Sequence, residues 1–256
     1  MKIIDYNPEQ EKKILCLPGL FMNGECFEEI AMRMPDYHFL CVSYDSFHYS
    51  SGDFESLEQQ SGKIIAMLKE RGTTTFELVM GTSLGTVFAC HLAAGHRLQI
   101  KRLWLDGGVV LGEYRVKKFY EWIIYTLFHK IMVQAHEEGN RGTFMGKEMP
   151  EDWLRRTEEP RKALTERSMR NITHLLAYYH IEEGIEAPIY MTYGEKEANV
   201  RMNATQIRAL YPETKISVEP GYDHLEYMDA ETDEYVRRVR QVMETGAFAE
   251  NKGHMR

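Results

Sequence analysis

The chain has 256 residues, of which 43% are hydrophobic and 27% are charged, so it carries enough apolar material for one large core. Its formal net charge of -8 and its pI of about 5.7 show that it is not a basic protein. Nucleic acids and anionic membrane surfaces are bound by clustered Lys and Arg side chains, so this charge balance argues against both as partners.

The N-terminal region lacks the features of a secretory signal, because MKIIDYNPEQEKK contains neither an apolar stretch nor a small-residue cleavage site. The longest markedly apolar run, Trp122 to Phe128, is too short to span a bilayer. The four cysteines form no Cys-x-x-Cys pair, and their apolar surroundings are typical of buried, reduced thiols. They are Cys16, Cys26, Cys41 and Cys90. We therefore predict a cytoplasmic protein.

Predicted strands and helices alternate along the chain. An edge strand is predicted at Lys2 to Tyr6, and core strands follow at Ile14 to Leu17, Phe39 to Tyr44, Phe76 to Gly81, Leu103 to Leu105, Ile189 to Tyr193 and Ile216 to Val218. Helical spacing predicts helices at Phe54 to Glu70, with Gly72 as a stop signal, and at Leu84 to Ala94, Ala204 to Leu210 and Glu234 to Met243. This order predicts an α/β fold with a mainly parallel central sheet flanked by helices.

The alternation stops between residues 111 and 184, which show helical patches, a charged stretch and no strand pattern. Such a length is too great for a plain loop, so we predict a helical cap at 111–184, inserted into a core made of 1–110 and 185–256. Its aromatic and Met side chains either pack the cap onto the core or line an apolar substrate pocket. They are Tyr120, Trp122, Tyr125, Phe128, Met132, Met145, Trp153, Tyr178 and Tyr179.

A Gly-x-Ser-x-Gly motif stands at Gly81-Thr82-Ser83-Leu84-Gly85, between an apolar strand and a helix-competent stretch. A Ser at a sharp strand-to-helix turn has a strained backbone, and neighbours without a Cβ relieve the crowding. The helix that follows offers N–H groups and the positive end of its dipole to a developing oxyanion. Ser83 is therefore the candidate nucleophile.

With this motif in this setting, the chain resembles the α/β-hydrolase family over nearly its whole length. The resemblance implies a nucleophile after a central strand, an acid after a later strand and a His after the last, in the order Ser, Asp or Glu, His. His224 lies in a Gly-containing loop after the last predicted strand, where the family places its base. The other His residues lie at positions that do not fit this role.

The acid that orients His224 has more than one candidate. Glu197 follows a late strand in Gly194-Glu195-Lys196-Glu197, which looks like the family's Gly-x-x-Asp turn with Glu in place of Asp. Asp106, in LWLDGG, is the second choice, because some members take the acid from the preceding strand. Glu195 and Asp223 remain further alternatives, as does a site without a third member.

The resemblance also implies an oxyanion hole of two main-chain N–H groups. Leu84, directly after the nucleophile, supplies one. The loop Leu17 to Phe21 is similar to the family's His-Gly-x segment, with Pro18 in place of His, and its register gives Leu20 as the second donor.

No metal-binding spacing, phosphate-binding loop or dinucleotide-binding motif is present in the sequence, which predicts neither a cofactor nor a catalytic metal. The predicted function is a serine hydrolase acting on a small ester, thioester or related acyl compound with an apolar acyl or aryl group. Two alternatives remain open: carbon–carbon bond cleavage or elimination by the same triad, and a non-catalytic ligand-binding protein on this scaffold. The sequence does not indicate an oligomeric state.

Overall fold

The computed structural model describes residues 1–108, 117–137, 143–144, 147–198 and 200–248. Its strands, in chain order, are β1 (Lys2–Tyr6), β2 (Lys13–Leu17), β3 (His38–Ser43), β4 (Thr75–Phe76), β5 (Leu78–Thr82), β6 (Gln99–Ile100), β7 (Leu103–Asp106), β8 (Thr143–Phe144), β9 (Lys147–Glu148), β10 (Ile189–Gly194) and β11 (Lys215–Glu219). The α-helices are α1 (Glu28–Met32), α2 (Leu57–Glu70), α3 (Leu84–Ala94), α4 (Lys117–Gln134), α5 (Glu151–Arg156), α6 (Glu158–Ala163), α7 (Glu166–Tyr178), α8 (Val200–Leu210), α9 (Glu226–Ala230) and α10 (Thr232–Thr245).

The central sheet has seven strands in the order β1-β3-β2-β5-β7-β10-β11. Only the edge strand β1 runs antiparallel to its neighbour, and the other pairs are parallel. The carboxyl ends of the parallel strands therefore meet at one edge of the sheet. The predicted α/β architecture with a mainly parallel sheet is confirmed.

Alternation along the strands divides the core into two layers. In β2, Leu15 and Leu17 face the layer that holds α2 and α3, while Ile14 and Cys16 face the layer that holds α1 and α10. Burial on both faces explains why the strand sequences are almost continuously apolar. The four cysteines are buried and form no disulfide, as predicted.

Several predicted boundaries shift in the structure. The predicted strand Phe76 to Gly81 is divided at Glu77: β4 pairs with β6 in a separate two-stranded sheet, and β5 joins the central sheet. Helix α2 begins at Leu57 instead of Phe54, because the Ser56 side chain caps it by accepting from the Gln59 N–H. Helix α3 has the predicted bounds, and Gly72 ends α2 with a φ of 63°.

Where the structure describes the region predicted as a helical cap, helices α4 to α7 lie between β7 and β10. The expectation that this region contains no strand is wrong, because β8 and β9 form a short antiparallel pair. Each of these strands has two residues, too few for an alternating pattern to show in the sequence. No helix in the described part of the chain is both long and apolar enough to cross a bilayer.

Candidate active site

Ser83 occupies the turn between β5 and α3. Its backbone has φ 49° and ψ -114°, a conformation that costs a residue with a Cβ about 1–3 kcal/mol. Its N–H donates to the carbonyl oxygen of Asp106 at 2.8 Å, which ties the turn to the end of β7. The Ser83 side chain is half-buried, so the turn presents its hydroxyl at the carboxyl edge of the sheet.

The two glycines of the motif allow a close approach between α3 and the sheet. A Cβ on Gly85 would lie 1.9 Å from the Leu17 carbonyl oxygen, and one on Gly81 would lie 2.5 Å from the Gly85 carbonyl oxygen. Both contacts are with backbone, which cannot move aside. The glycines are therefore required by packing as well as by the strain at Ser83.

His224 and Glu197 meet at the same edge of the sheet. The His224 Nδ1 lies 2.8 Å from the Glu197 Oε2, and the Glu197 Oε1 accepts from the Gly194 N–H at 2.7 Å. The Glu197 side chain is 11% exposed and that of His224 is 43% exposed. A carboxylate at Nδ1 favours the tautomer with its proton there, so Nε2 is left as the proton acceptor.

The His224 ring packs against Gly107, the first residue after β7. A Cβ on Gly107 would lie 2.5 Å from the His224 Cε1, and Gly107 has a φ of 58°. In the β5 and β7 pairing, Thr82 is opposite Asp106, so Ser83 and Gly107 follow at adjacent strand ends. The ring is thus held beside the nucleophile turn. Ser83 and His224 both lie in the described part of the chain, and no hydrogen bond joins them. The bond between a nucleophile and its base is often long in ligand-free enzymes.

The pKa of His224 lies above its ordinary value. Desolvation lowers this pKa, but the hydrogen bond that the ring donates to Glu197 and the charges of Glu197, Asp106 and Asp223 outweigh this effect. The protonated ring is therefore favoured by its surroundings. A base that must accept a proton from a serine hydroxyl needs this property.

The other candidate acids do not bond to the His224 ring. Asp106 is 4% exposed and directly precedes Gly107, and burial together with the charge of Glu197 raises its pKa to about 7. Glu195 accepts from the Gly221 N–H at 3.0 Å, and Asp223 accepts from the His224 main-chain N–H at 2.8 Å. Among the candidates, the ring contact belongs to Glu197.

The loop after β2 lies beside Ser83. A Cβ on Gly19 would be 3.1 Å from the Ser83 Cβ, and the Met22 N–H donates to the Gly19 carbonyl across a tight turn at 3.2 Å. The main-chain N–H groups of Leu20 and Leu84 donate to no other group in the described residues. Both are free to donate to an oxyanion, and Leu84 also begins α3, where the helix dipole favours negative charge.

The aromatic side chains predicted in the cap have different environments. Phe128 on α4 packs edge-on against Phe21 of the loop after β2, with ring centroids 6.0 Å apart. Tyr179 is buried, whereas Trp122 is 60% exposed. Met145 lies outside the described residues.

A surface cavity of about 320 Å³, lined by His96 and Lys101 among others, lies at the opposite edge of the sheet, away from Ser83.

Gly107 is a residue of this site that the sequence reasoning missed. The signal was present as the two glycines of LWLDGG, directly after a core strand. A Gly pair at a strand end indicates a close approach of another group.

Among the described residues, no group of three or more His, Cys, Asp or Glu side chains could hold a metal ion.

No model of a protein family and no curated protein matches this chain. Solved structures match almost all of it at low identity. An alpha/beta hydrolase family protein from Desulfitobacterium hafniense has a TM-score of 0.72 at 19% identity, covering 94% of this chain and 100% of its own. An esterase from Exiguobacterium antarcticum has a TM-score of 0.76 at 15% identity, covering 95% of both chains. E-2-(acetamidomethylene)succinate hydrolase has a TM-score of 0.69 at 14% identity, covering 95% of this chain and 100% of its own.

The order of the sheet, the turn that carries Ser83 and these three matches define one class of structure. The chain has the α/β-hydrolase fold, as the sequence predicted.

Proposed function

We propose that the protein is a serine hydrolase that cleaves a small ester, thioester or related acyl compound with an apolar acyl or aryl group. The observation that carries this proposal is the Glu197 and His224 hydrogen bond, held by Gly107 beside the strained turn at Ser83. A His at the surface without a catalytic role needs neither a buried carboxylate at its Nδ1 nor a glycine that makes room for its ring. Four segments that are distant in sequence, after β5, β7, β10 and β11, supply these groups to one edge of the sheet.

In the proposed reaction, the Ser83 Oγ attacks the substrate carbonyl while the His224 Nε2 takes its proton. Glu197 holds the ring and stabilises the imidazolium that forms. The Leu20 and Leu84 N–H groups donate to the oxyanion of the tetrahedral intermediate. The protonated His224 then gives its proton to the leaving group, and water deacylates Ser83 with His224 again as the base.

An apolar acyl or aryl group is supported by the contact between Phe21 and Phe128. This contact joins α4 to the loop that carries Leu20, so an apolar surface borders the proposed oxyanion hole. We propose that residues 111–184 act as a cap over this site and that the pocket between cap and core selects the acyl group.

The names of the matched structures agree with this proposal at the level of hydrolysis. They include an esterase and a hydrolase of E-2-(acetamidomethylene)succinate. The same groups also suit carbon–carbon cleavage, so analysis of the products is part of the test.

The test is hydrolysis of p-nitrophenyl esters from acetate to decanoate by the wild type and by Ser83→Ala and His224→Ala. His174→Ala is the matched control, because its side chain is 64% exposed on α7. We expect turnover that is lost in both site variants and kept in the control. A folded wild type that hydrolyses no ester and does not react with a phosphonate would contradict the proposal in favour of a carbon–carbon or ligand-binding role.

A further inference from the structure

Asp106 is a buried carboxylic acid next to the proposed triad, and the mechanism above does not use it. It ends β7, between Thr82 of β5 and Thr192 of β10, and it is 4% exposed. Its Oδ2 has no hydrogen-bond partner among the described residues. Buried polar atoms are almost always paired, so such an atom calls for an explanation.

The groups that face Asp106 come from several elements. The Tyr235 hydroxyl of α10 is one of the groups that affect its pKa, and this hydroxyl accepts from the Trp104 indole N–H at 2.7 Å. Glu197 lies in the loop after β10, and His224 in the loop after β11. Glu219, the last residue of β11, is paired with Arg238 of α10.

These neighbours explain why Asp106 resists ionisation. Burial and the charge of Glu197 raise its pKa to about 7, while the Tyr235 hydroxyl and the His224 ring lower it. Glu197, the more accessible of the two carboxyl groups, holds the hydrogen bond to His224. The two acids therefore differ in environment although both lie beside one ring.

The backbone at Asp106 also connects this residue to Ser83 and His224. Its carbonyl oxygen accepts from the Ser83 N–H at 2.8 Å, and the next residue, Gly107, supports the His224 ring. A change of charge at Asp106 therefore acts next to the glycine that contacts the ring. Its negative charge is one of the causes that raise the pKa of His224.

We propose that Asp106 is a positioning residue that keeps its proton while Glu197 is ionised, and that releases it to place a second negative charge beneath His224. This inference rests on the proposed hydrolase function. In this arrangement, Glu197 orients the ring and Asp106 sets how strongly the ring holds a proton. Because Asp106 and His224 interact, the titration curve of His224 has two steps. The pKa values of these steps belong to the pair of groups and not to either residue alone.

The test is the NMR titration of the His224 imidazole between pH 4 and 10, with the signal assigned by its loss in His224→Ala. We expect a two-step curve in the wild type. In Asp106→Asn we expect a single step with the pKa of His224 lowered by roughly half to one unit. Asp223→Asn is the matched control, since it removes a half-buried carboxylate next to the same ring and is expected to shift the pKa less, because solvent screens its charge.

A single-step titration curve of His224 in the wild type overturns the inference. This measurement does not depend on whether a variant folds. A shift in Asp106→Asn no larger than that in Asp223→Asn overturns it as well. The pH profile of kcat/KM for ester hydrolysis separates this inference from the proposed function. An active wild type with an uncoupled titration contradicts the role of Asp106 alone, whereas an inert wild type contradicts the hydrolase.

Discussion

The backbone of Ser83 is strained, because a positive φ brings its Cβ close to its own main chain. Such strain persists only where the surrounding structure holds the residue in place. Here the N–H bond to Asp106 and the close packing at Gly81 and Gly85 hold the turn. The strain is thus a structural cost of the turn that presents the half-buried hydroxyl at the edge of the sheet.

Replacing Ser83 by Gly relieves this strain, whereas Ser83→Ala keeps a Cβ and the strain. We expect both variants to lose ester hydrolysis, and Ser83→Gly to be more stable than Ser83→Ala by about 1 kcal/mol. Urea unfolding of the two variants measures the difference. Equal stability of the two, or a more stable Ser83→Ala, would show that the turn is not strained.

The contact between Gly107 and the His224 ring leads to a second prediction. In Gly107→Ala the new Cβ would displace the ring, because it would lie 2.5 Å from the Cε1. We expect kcat for ester hydrolysis to fall by about 100-fold or more, as a displacement near 1 Å does in other active sites.

Gly72→Ala is the matched control for Gly107→Ala. Gly72 has a φ of 63°, close to the 58° of Gly107, but a Cβ there would meet no atom within 4 Å. The two variants carry similar backbone strain, so a loss of kcat common to both would rule out a specific effect on His224.

At the level of elements, the loop after β3 connects the core to α7. The Phe54 N–H donates to the Ser168 Oγ at 2.9 Å, and the Asn171 side chain donates to the Phe54 carbonyl at 2.8 Å. The Thr165 N–H donates to the Ser46 Oγ at 3.1 Å. The N-terminal half of α7 is therefore anchored to the core by hydrogen bonds between side chains and main chain, while α4 contacts the loop after β2 through Phe128.

Phe128→Ala removes the contact between α4 and the loop that carries Leu20. We expect kcat/KM for medium-chain esters to fall by about 10-fold, because the loop loses the ring that packs against it and the pocket loses apolar surface. Phe119→Ala on the same helix is the control, since Phe119 is 57% exposed and stacks on Trp122. An equal loss in both variants would contradict this role for Phe128.

The core elements were predictable because their sequences carry strong local patterns. Helix α3 follows the motif directly and has the predicted bounds, and strands such as β2 are apolar runs after their first residue. The division of β4 from β5 was missed, because Phe76 and Leu78 are both apolar and only pairing with β6 separates them. Tertiary pairing decides a boundary that the local pattern leaves open.

The site was predictable to a different degree. The turn at Glu197 and the loop at His224 could be found by resemblance, and the structure brings the two side chains together. The contact of Gly107 with the His224 ring and the burial of Asp106 depend on contacts between β7, α10 and the loop after β11. Contacts between elements that are distant in sequence have no local signal.

For the molecule as a whole, the buried Asp106 makes stability depend on pH. Its pKa is about 7 in the folded protein and near 3.8 ordinarily, so the folded protein retains a proton that the unfolded chain has lost between these values. The unfolded state thus binds fewer protons, and the contribution of Asp106 to stability falls as pH rises from about 4 to about 7.

Asp106→Asn removes this dependence. We expect the free energy of unfolding of the variant, relative to the wild type, to increase between pH 4 and pH 8 by up to about 4 kcal/mol. Urea unfolding at both pH values measures the change. A difference between variant and wild type that is the same at pH 4 and pH 8 would contradict a buried, protonated Asp106.

The central claim is that Ser83 is a nucleophile activated by His224. The most direct measurement is labelling of the wild type with a fluorophosphonate, followed by mass spectrometry of the modified peptide, with His224→Ala and His174→Ala labelled in parallel. We predict a single adduct on Ser83 that forms at the same rate in His174→Ala and at least 100-fold more slowly in His224→Ala. An unlabelled wild type, or an adduct on another residue, would contradict the account.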